Sequence, residues 1–213
     1  MKLISKYKII FWDFDGVIKE SVSVKTDAFR KLFSDFGSKV SQQVVSHHIN
    51  NGGMSRFDKI PFYLKFANLQ VTKENIQKYC NKFSKLVEKE VVNSKWVNGV
   101  EEIIKENDLD NQKFVIASAT PQNEMERILK ELKIFSKFSL IFGSPNTKEN
   151  AIKVSLKKFN YSQEEALMIG DSTSDFKAAK LNDIDFLLRR TPENLISMPK
   201  YNGLTIENFL TNE

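Results

Sequence analysis

The chain has 213 residues and a mass of 24.6 kDa, room for one full-sized domain or a domain carrying a smaller insert, and unsuited to a long repeat array. Hydrophobic residues make up 41% and charged residues 28%, with 17 Phe against 8 Gly and 5 Pro, so a core can form and wholesale disorder is excluded. The formal charge of +5 comes from basic residues scattered among acids, the pattern of a solvated surface, and no nucleic-acid partner is expected. Cys80 is the only cysteine, which rules out an intramolecular disulfide and a cysteine-based zinc site; its place on an apolar face marks it as core. Any metal has to sit on oxygens.

In chain order, the opening MKLISKYKIIFW meets Asp13 too early for a secretory h-region, and no apolar run approaches the roughly 18 to 20 residues of a membrane span. A soluble, cytoplasmic protein without a membrane partner is expected. KIIFWD reads as a strand ending in Asp13, followed by Phe14, Asp15 and Gly16. Two carboxylates one residue apart, with a glycine permitting a sharp turn, can divide nucleophilic and acid/base work. Trp12 reads as core.

Between Val24 and Val92 the strand signal disappears. Ala28, Phe29, Leu32, Phe33 and Phe36 share one helical face, as do Ile76, Tyr79, Cys80, Phe83 and Val87. Thr72 is placed to cap the last of these helices, and Pro61 to mark a boundary or kink between shorter ones. His47 and His48 are adjacent, point in different directions on a helix and make a poor metal pair, so placement at the surface or at an interface is expected. Lys59 and Lys65 are expected to be solvated. Residues 18–92 carry 13 Lys and Arg against 7 Asp and Glu, a net +6 that leaves about −1 for the remainder. Exposed helices explain such an imbalance, and so does a lobe that attracts anionic substrates.

After the helical stretch, KFVIAS, SLIFGS, ALMIGD and DFLL read as further strands alternating with helical patterns such as Met125, Ile128, Leu129 and Leu132. The alternation implies a parallel sheet with helical crossovers, and in such sheets chemistry collects at the carboxyl ends of the strands. There KFVIAS ends in Ser118, whose hydroxyl beside exposed backbone N–H groups suits a phosphate oxygen. Lys148 follows SLIFGS, and ALMIGD ends in Asp171, with Ser172 and then Asp175 one turn later. Carboxylates converging in this way repel, and a hard cation such as Mg²⁺ would relieve the repulsion.

Taken together, IIFWDFDG, VIASAT, the Lys148 region and MIGDSTSD resemble, in order and across essentially the whole chain, the four motifs of the haloacid dehalogenase superfamily. The resemblance implies an α/β protein with a Rossmann-like core of residues 1–17 and 93–213 and an inserted helical cap of residues 18–92. It also implies bound Mg²⁺ and an aspartyl-phosphate intermediate. Asp13 would be the nucleophile and Asp15 the general acid and then base. Ser118, Ala119 and Lys148 would hold the phosphoryl group. Asp13, the Asp15 carbonyl, Asp171 and Asp175, the last directly or through water, would hold the metal. Dehalogenases of this superfamily lack the second motif aspartate and phosphonate hydrolases of similar fold replace it, so Asp15 argues against both.

The cap resembles those of phosphoglycolate phosphatases and β-phosphoglucomutases. Val17 and Gly53-Met54-Ser55-Arg56 lean toward the mutase, whose cap arginine grips a phosphate, and make Arg56, with Ser55, the expected specificity residues. Lys25, where the mutase cap carries a histidine, and Asp175 lean toward phosphatase. Relatives usually have Lys-Pro where this chain has Lys148-Glu149, which opens the geometry of that loop to question. The expected function is a Mg²⁺-dependent phosphatase acting on a small phosphorylated metabolite such as a sugar phosphate, as a monomer or weak dimer. A phosphomutase, or a non-catalytic protein that senses phosphate and metal, is the alternative.

Overall fold

The computed structural model describes residues 3–210. Its sheet has six parallel strands in the order β3-β2-β1-β4-β5-β6. These are β1 (Ile9–Trp12), β2 (Lys113–Pro121), β3 (Leu140–Ser144), β4 (Ala166–Gly170), β5 (Asp185–Arg189) and β6 (Leu204–Ile206). The first five are the strands legible in the sequence. The sixth, only three residues long and mostly exposed at the sheet edge, carries no alternating signal.

Why β1 is apolar throughout follows from its place. Ile10 and Trp12 pack into the core on one face of the sheet, against Phe114, Val100 and Met125, while Ile9 and Phe11 pack into the core on the other, against Ile152, Ala178 and Met168. Successive residues of a strand point to opposite faces, so a strand covered on both sides has no polar position to offer. The sheet reverses its winding between β1 and β4, and Trp12 is level with both Ile116 and Ile169. Asp13, Ser118 and Asp171 therefore emerge at one end of the sheet, at the switch point where open α/β sheets bind ligands.

Four helices, α1 (Val22–Leu32), α2 (Ser38–Asn50), α3 (Arg56–Phe66) and α4 (Lys73–Asn93), lie between β1 and β2 with no strand among them. They close on an aromatic centre in which Phe29 stacks on Phe83 at 3.9 Å and Phe33 on Tyr79 at 5.2 Å between centroids. Cys80 is buried there. The Thr72 hydroxyl accepts the Asn75 N–H at 3.1 Å, capping α4. Pro61 corrects an expectation: α3 runs through it and begins at Arg56, capped by Ser55. A proline early in a helix forfeits one hydrogen bond, and the buried face of Ile60, Tyr63 and Leu64 outweighs that loss. The two chain crossings into and out of this segment run side by side, Glu20 N–H donating to Lys95 O and Val97 N–H to Ile18 O.

The remaining helices, α5 (Val100–Glu106), α6 (Gln122–Glu131), α7 (Lys148–Phe159), α8 (Thr173–Leu181) and α9 (Pro192–Ser197), belong to the sheet layers. Among the described residues no helix is long and apolar enough to cross a membrane.

Candidate active site

At the carboxyl end of the sheet, carboxylate oxygens of Asp13, Asp171 and Asp175 lie within 4.8 Å of one another. Gly16 makes this approach possible. Its φ of +75° disfavours side chains, and a Cβ there would stand 2.1 Å from Asp171 Oδ2. The Asp13 carboxylate takes the Phe14 N–H at 2.8 Å on Oδ1 and the Lys148 ammonium at 2.9 Å on Oδ2. Lys148 opens α7 behind the Thr147 cap, so Glu149 in place of proline leaves that turn intact.

Asp175 does two jobs. Its Oδ2 accepts from the Ser172 N–H and hydroxyl, capping α8, and its Oδ1 accepts from Lys148 at 2.5 Å. One side chain thus both caps α8 and joins the acid cluster. Behind Asp171, its backbone carbonyl accepts from Asn194 Nδ2 at 2.9 Å.

Three carboxylates facing one ammonium leave two negative charges uncompensated. Burial, then the Asp175 charge, push the Asp13 carboxyl up to about 7 against the pull of Lys148. Burial, then the charges of Asp13 and Asp175, hold Asp171 well above the carboxylate range. Burial would lower Lys148, but Asp13 and Asp175 hold it above its ordinary value. A hard divalent cation fits this donor set: it matches the surplus charge and takes carboxylate oxygens.

Asp15 differs. Burial would raise it, but the charge and hydrogen bond of Lys25, then the Ser21 hydroxyl at 2.6 Å, hold it below the usual range. Lys25 Nζ also donates to Thr120 Oγ1 at 2.8 Å. β2 continues past Ser118, whose oxygen accepts the Thr120 N–H at 3.2 Å, so Ala119 and Thr120 rather than Ser118 line the cavity.

That cavity, of about 100 Å³, is walled by Asp13, Asp15, Lys148 and Asp171 on the sheet side and by α1 to α4 on the other. Gly53 comes so close to the first turn of α8 that a Cβ would meet Ser174 Oγ at 1.9 Å. Arg56 lies in the wall, yet its guanidinium is committed to Glu124 of α6 through bonds of 2.9 and 2.6 Å, both side chains at most 4% exposed, with Ser84 at 2.7 Å. Ser55 caps α3 and meets Ser144 at 3.1 Å, outside the cavity lining.

Two residues read as solvated or interfacial are found in the wall. Lys59 is 2% exposed, its Nζ 2.8 Å from His48 Nδ1, and His48 is buried against Phe29. Burial and the nearby Lys25 charge push Lys59 down to about 7, and burial with Lys59 pushes His48 well below its ordinary value. Arg56, Lys59, Ile60, Tyr63 and Leu64 fall at helical spacing on one face, a signal that could have found Lys59.

A protein-family model for haloacid dehalogenase-like hydrolases matches residues 9–188. The chain belongs to that family. The hydrolase shares its fold with a candidate phosphoglycolate phosphatase from Lactobacillus plantarum (TM-score 0.72, 16% identity, 95% of this chain and 96% of that one). It also superposes on β-phosphoglucomutase from Clostridium difficile (0.74, 20%, 95% and 92%). A third likeness is the candidate hydrolase YfnB from Bacillus subtilis, solved with magnesium bound (0.69, 20%, 95% of each chain). At these identities the likenesses speak to the fold alone. No curated protein sequence matches the hydrolase significantly.

Proposed function

We propose that the hydrolase is a Mg²⁺-dependent phosphatase of a small phosphorylated metabolite, working in the cytoplasm through a phosphorylated Asp13. The observation that carries this reading is the cluster of Asp13, Asp171 and Asp175 around Lys148 at the wall of one cavity, with Asp15 beside them. The neighbours named as a phosphatase candidate and a phosphomutase support it as relatives in fold.

Mg²⁺ would be held by Asp13, the Asp15 carbonyl and Asp171, with Asp175 direct or through water, and when bound would neutralise charge between carboxylate and phosphate. Lys148 would hold a phosphoryl oxygen beside Asp13, and Ala119, which lines the cavity where Ser118 does not, would present its backbone N–H to another. The Asp13 carboxylate forms the new O–P bond as the bond to the departing alcohol breaks, and Asp15 gives that oxygen its proton. Asp15 then takes a proton from water, whose oxygen displaces phosphate from Asp13, so the cycle closes on the free Asp13 carboxylate and a protonated Asp15. Lys25 holds Asp15 ionised, the form the second half needs, and so sets how much protonated Asp15 serves the first.

Residues 18–92 act in this reading as a cap on the core of residues 1–17 and 93–213, excluding water from the bound ester. The test is phosphate release from a panel of phosphorylated metabolites, with Mg²⁺ and with EDTA, for the native protein and Asp13→Asn. Metal-dependent release lost in the variant supports the reading. Interconversion of sugar phosphates without release assigns the phosphomutase instead, and binding without turnover assigns the sensor.

A further inference from the structure

The cations on the helical side of the cavity are not equivalent. Lys25 is paired with Asp15 and Arg56 with Glu124. Lys59 has no carboxylate within ion-pair distance among the described residues, although it is among the most completely buried side chains in the wall. An ammonium has three N–H donors. His48 Nδ1 at 2.8 Å and the His48 carbonyl at 3.4 Å take two, and nothing described takes the third. Burying an ammonium without an anion costs several kcal/mol, a cost not offset by any partner the fold provides. Groups left in that state are characteristic of sites that wait for a ligand.

We propose that Lys59, oriented by His48, is the anion subsite of this cavity, and that the substrate's leaving group carries a second acidic group, a carboxylate or a phosphate. This rests on the reading of the cavity as a phosphoester site. The sheet side takes the phosphoryl group that reacts, beside Asp13 and Lys148. The helical side meets the rest of the molecule, and there Lys59 alone has charge to give. Its neighbour Asp15 adds no free negative charge, because Lys25 already answers it. The apolar walls of Val22, Phe29 and Phe83 strengthen an ion pair formed between them. Arg56, expected to fill this role, is excluded from it by Glu124.

The test uses matched probes that differ only in the second acid, bound to the Asp13→Asn protein with Mg²⁺ so that turnover is not read. The probes are 3-phosphoglycerate against glycerol 3-phosphate, and fructose 1,6-bisphosphate against fructose 6-phosphate. Calorimetry is expected to show at least one acid-bearing member binding about 10-fold or more tighter than its partner, and which pair does so names the acid. Adding Lys59→Met removes that preference while leaving the partner's affinity within about 3-fold, and Lys59→Arg keeps part of it. Thermal unfolding checks that both variants fold. Equal affinity within both pairs, no binding of either acid-bearing probe, or a loss in Lys59→Met shared by both members of a pair overturns the proposal. Intact preference in a protein that releases no phosphate would sink the phosphatase and leave the subsite standing.

Discussion

On the sheet side of the cavity three carboxylates face the single ammonium of Lys148, whereas on the helical side Lys25 and Arg56 each have a carboxylate and Lys59 has none. One wall is short of positive charge and the other of negative. Each deficit is of a kind that a ligand, not the chain, can fill: a divalent cation below and a substrate oxyanion above. The proposed reaction would also separate chemistry from recognition, because its nucleophile, Asp13, lies on the sheet side. The sharpest break between the walls is therefore Asp13→Asn, which keeps the shape and removes the carboxylate proposed to attack. Turnover is expected to fall by roughly 10⁴-fold or more. A steady-state assay retaining more than about one hundredth of the native kcat would move the nucleophile elsewhere.

The sheet side was legible because each of its groups sits beside a local signal. Asp13 follows IIFW, Asp171 follows ALMIG, and Asp175 lies one helical turn farther on. Ser118 shows the limit: the strand runs on beyond it, so the residues that reach the cavity are Ala119 and Thr120. The helical side depends on partners remote in sequence. Arg56 reads as a free cation until the fold brings Glu124, 68 positions away, against it. Spacing within α3 reports which face is buried, but not which acid waits across the interface.

That buried pair supplies the next break. Glu124→Ala leaves an uncompensated guanidinium in a nearly dry contact between α3, α4 and α6, and a loss of about 3 to 5 kcal/mol is expected in chemical denaturation. Adding Arg56→Met should restore part of it, because the unpaired charge goes while the space left by the shorter side chain at position 124 remains. A single variant as stable as the native protein would mean that Arg56 can reach solvent, which would return it to the list of substrate contacts.

The deficit below has its own signature in pH. Burial and the Asp175 charge push the Asp13 carboxyl up to about 7 in the folded protein before metal binds, against an ordinary value near 4, so between these the folded state binds more protons than the unfolded. The site then costs nothing below about pH 4 and its full penalty above about pH 7, and stability falls as pH rises through that window. Mg²⁺ must displace those protons, so its stabilisation is expected to be larger at pH 8 than at pH 5. At about 100 times its Kd the ion should add roughly 3 kcal/mol at pH 8, a rise in Tm of roughly 5 to 10 °C. Equal shifts at the two pH values would show that the carboxylates do not hold the ion.

The smallest effect is expected at the same α4 to α6 interface, one turn from the buried pair. Arg127 meets Glu88 there with bonds of 2.6 and 2.9 Å, a geometry as good as that of Arg56 and Glu124. The difference is water: Arg127 is 56% and Glu88 32% exposed. An exposed ion pair exchanges hydration for contact at little net gain, so Arg127→Ala should cost about 1 kcal/mol or less. In 0.5 M NaCl even that cost should shrink, whereas the Glu124→Ala cost should not, because ions screen only what they can approach. A large, salt-insensitive loss in Arg127→Ala would mean that the aliphatic stem of Arg127, not its charge, fastens the helical segment to the core.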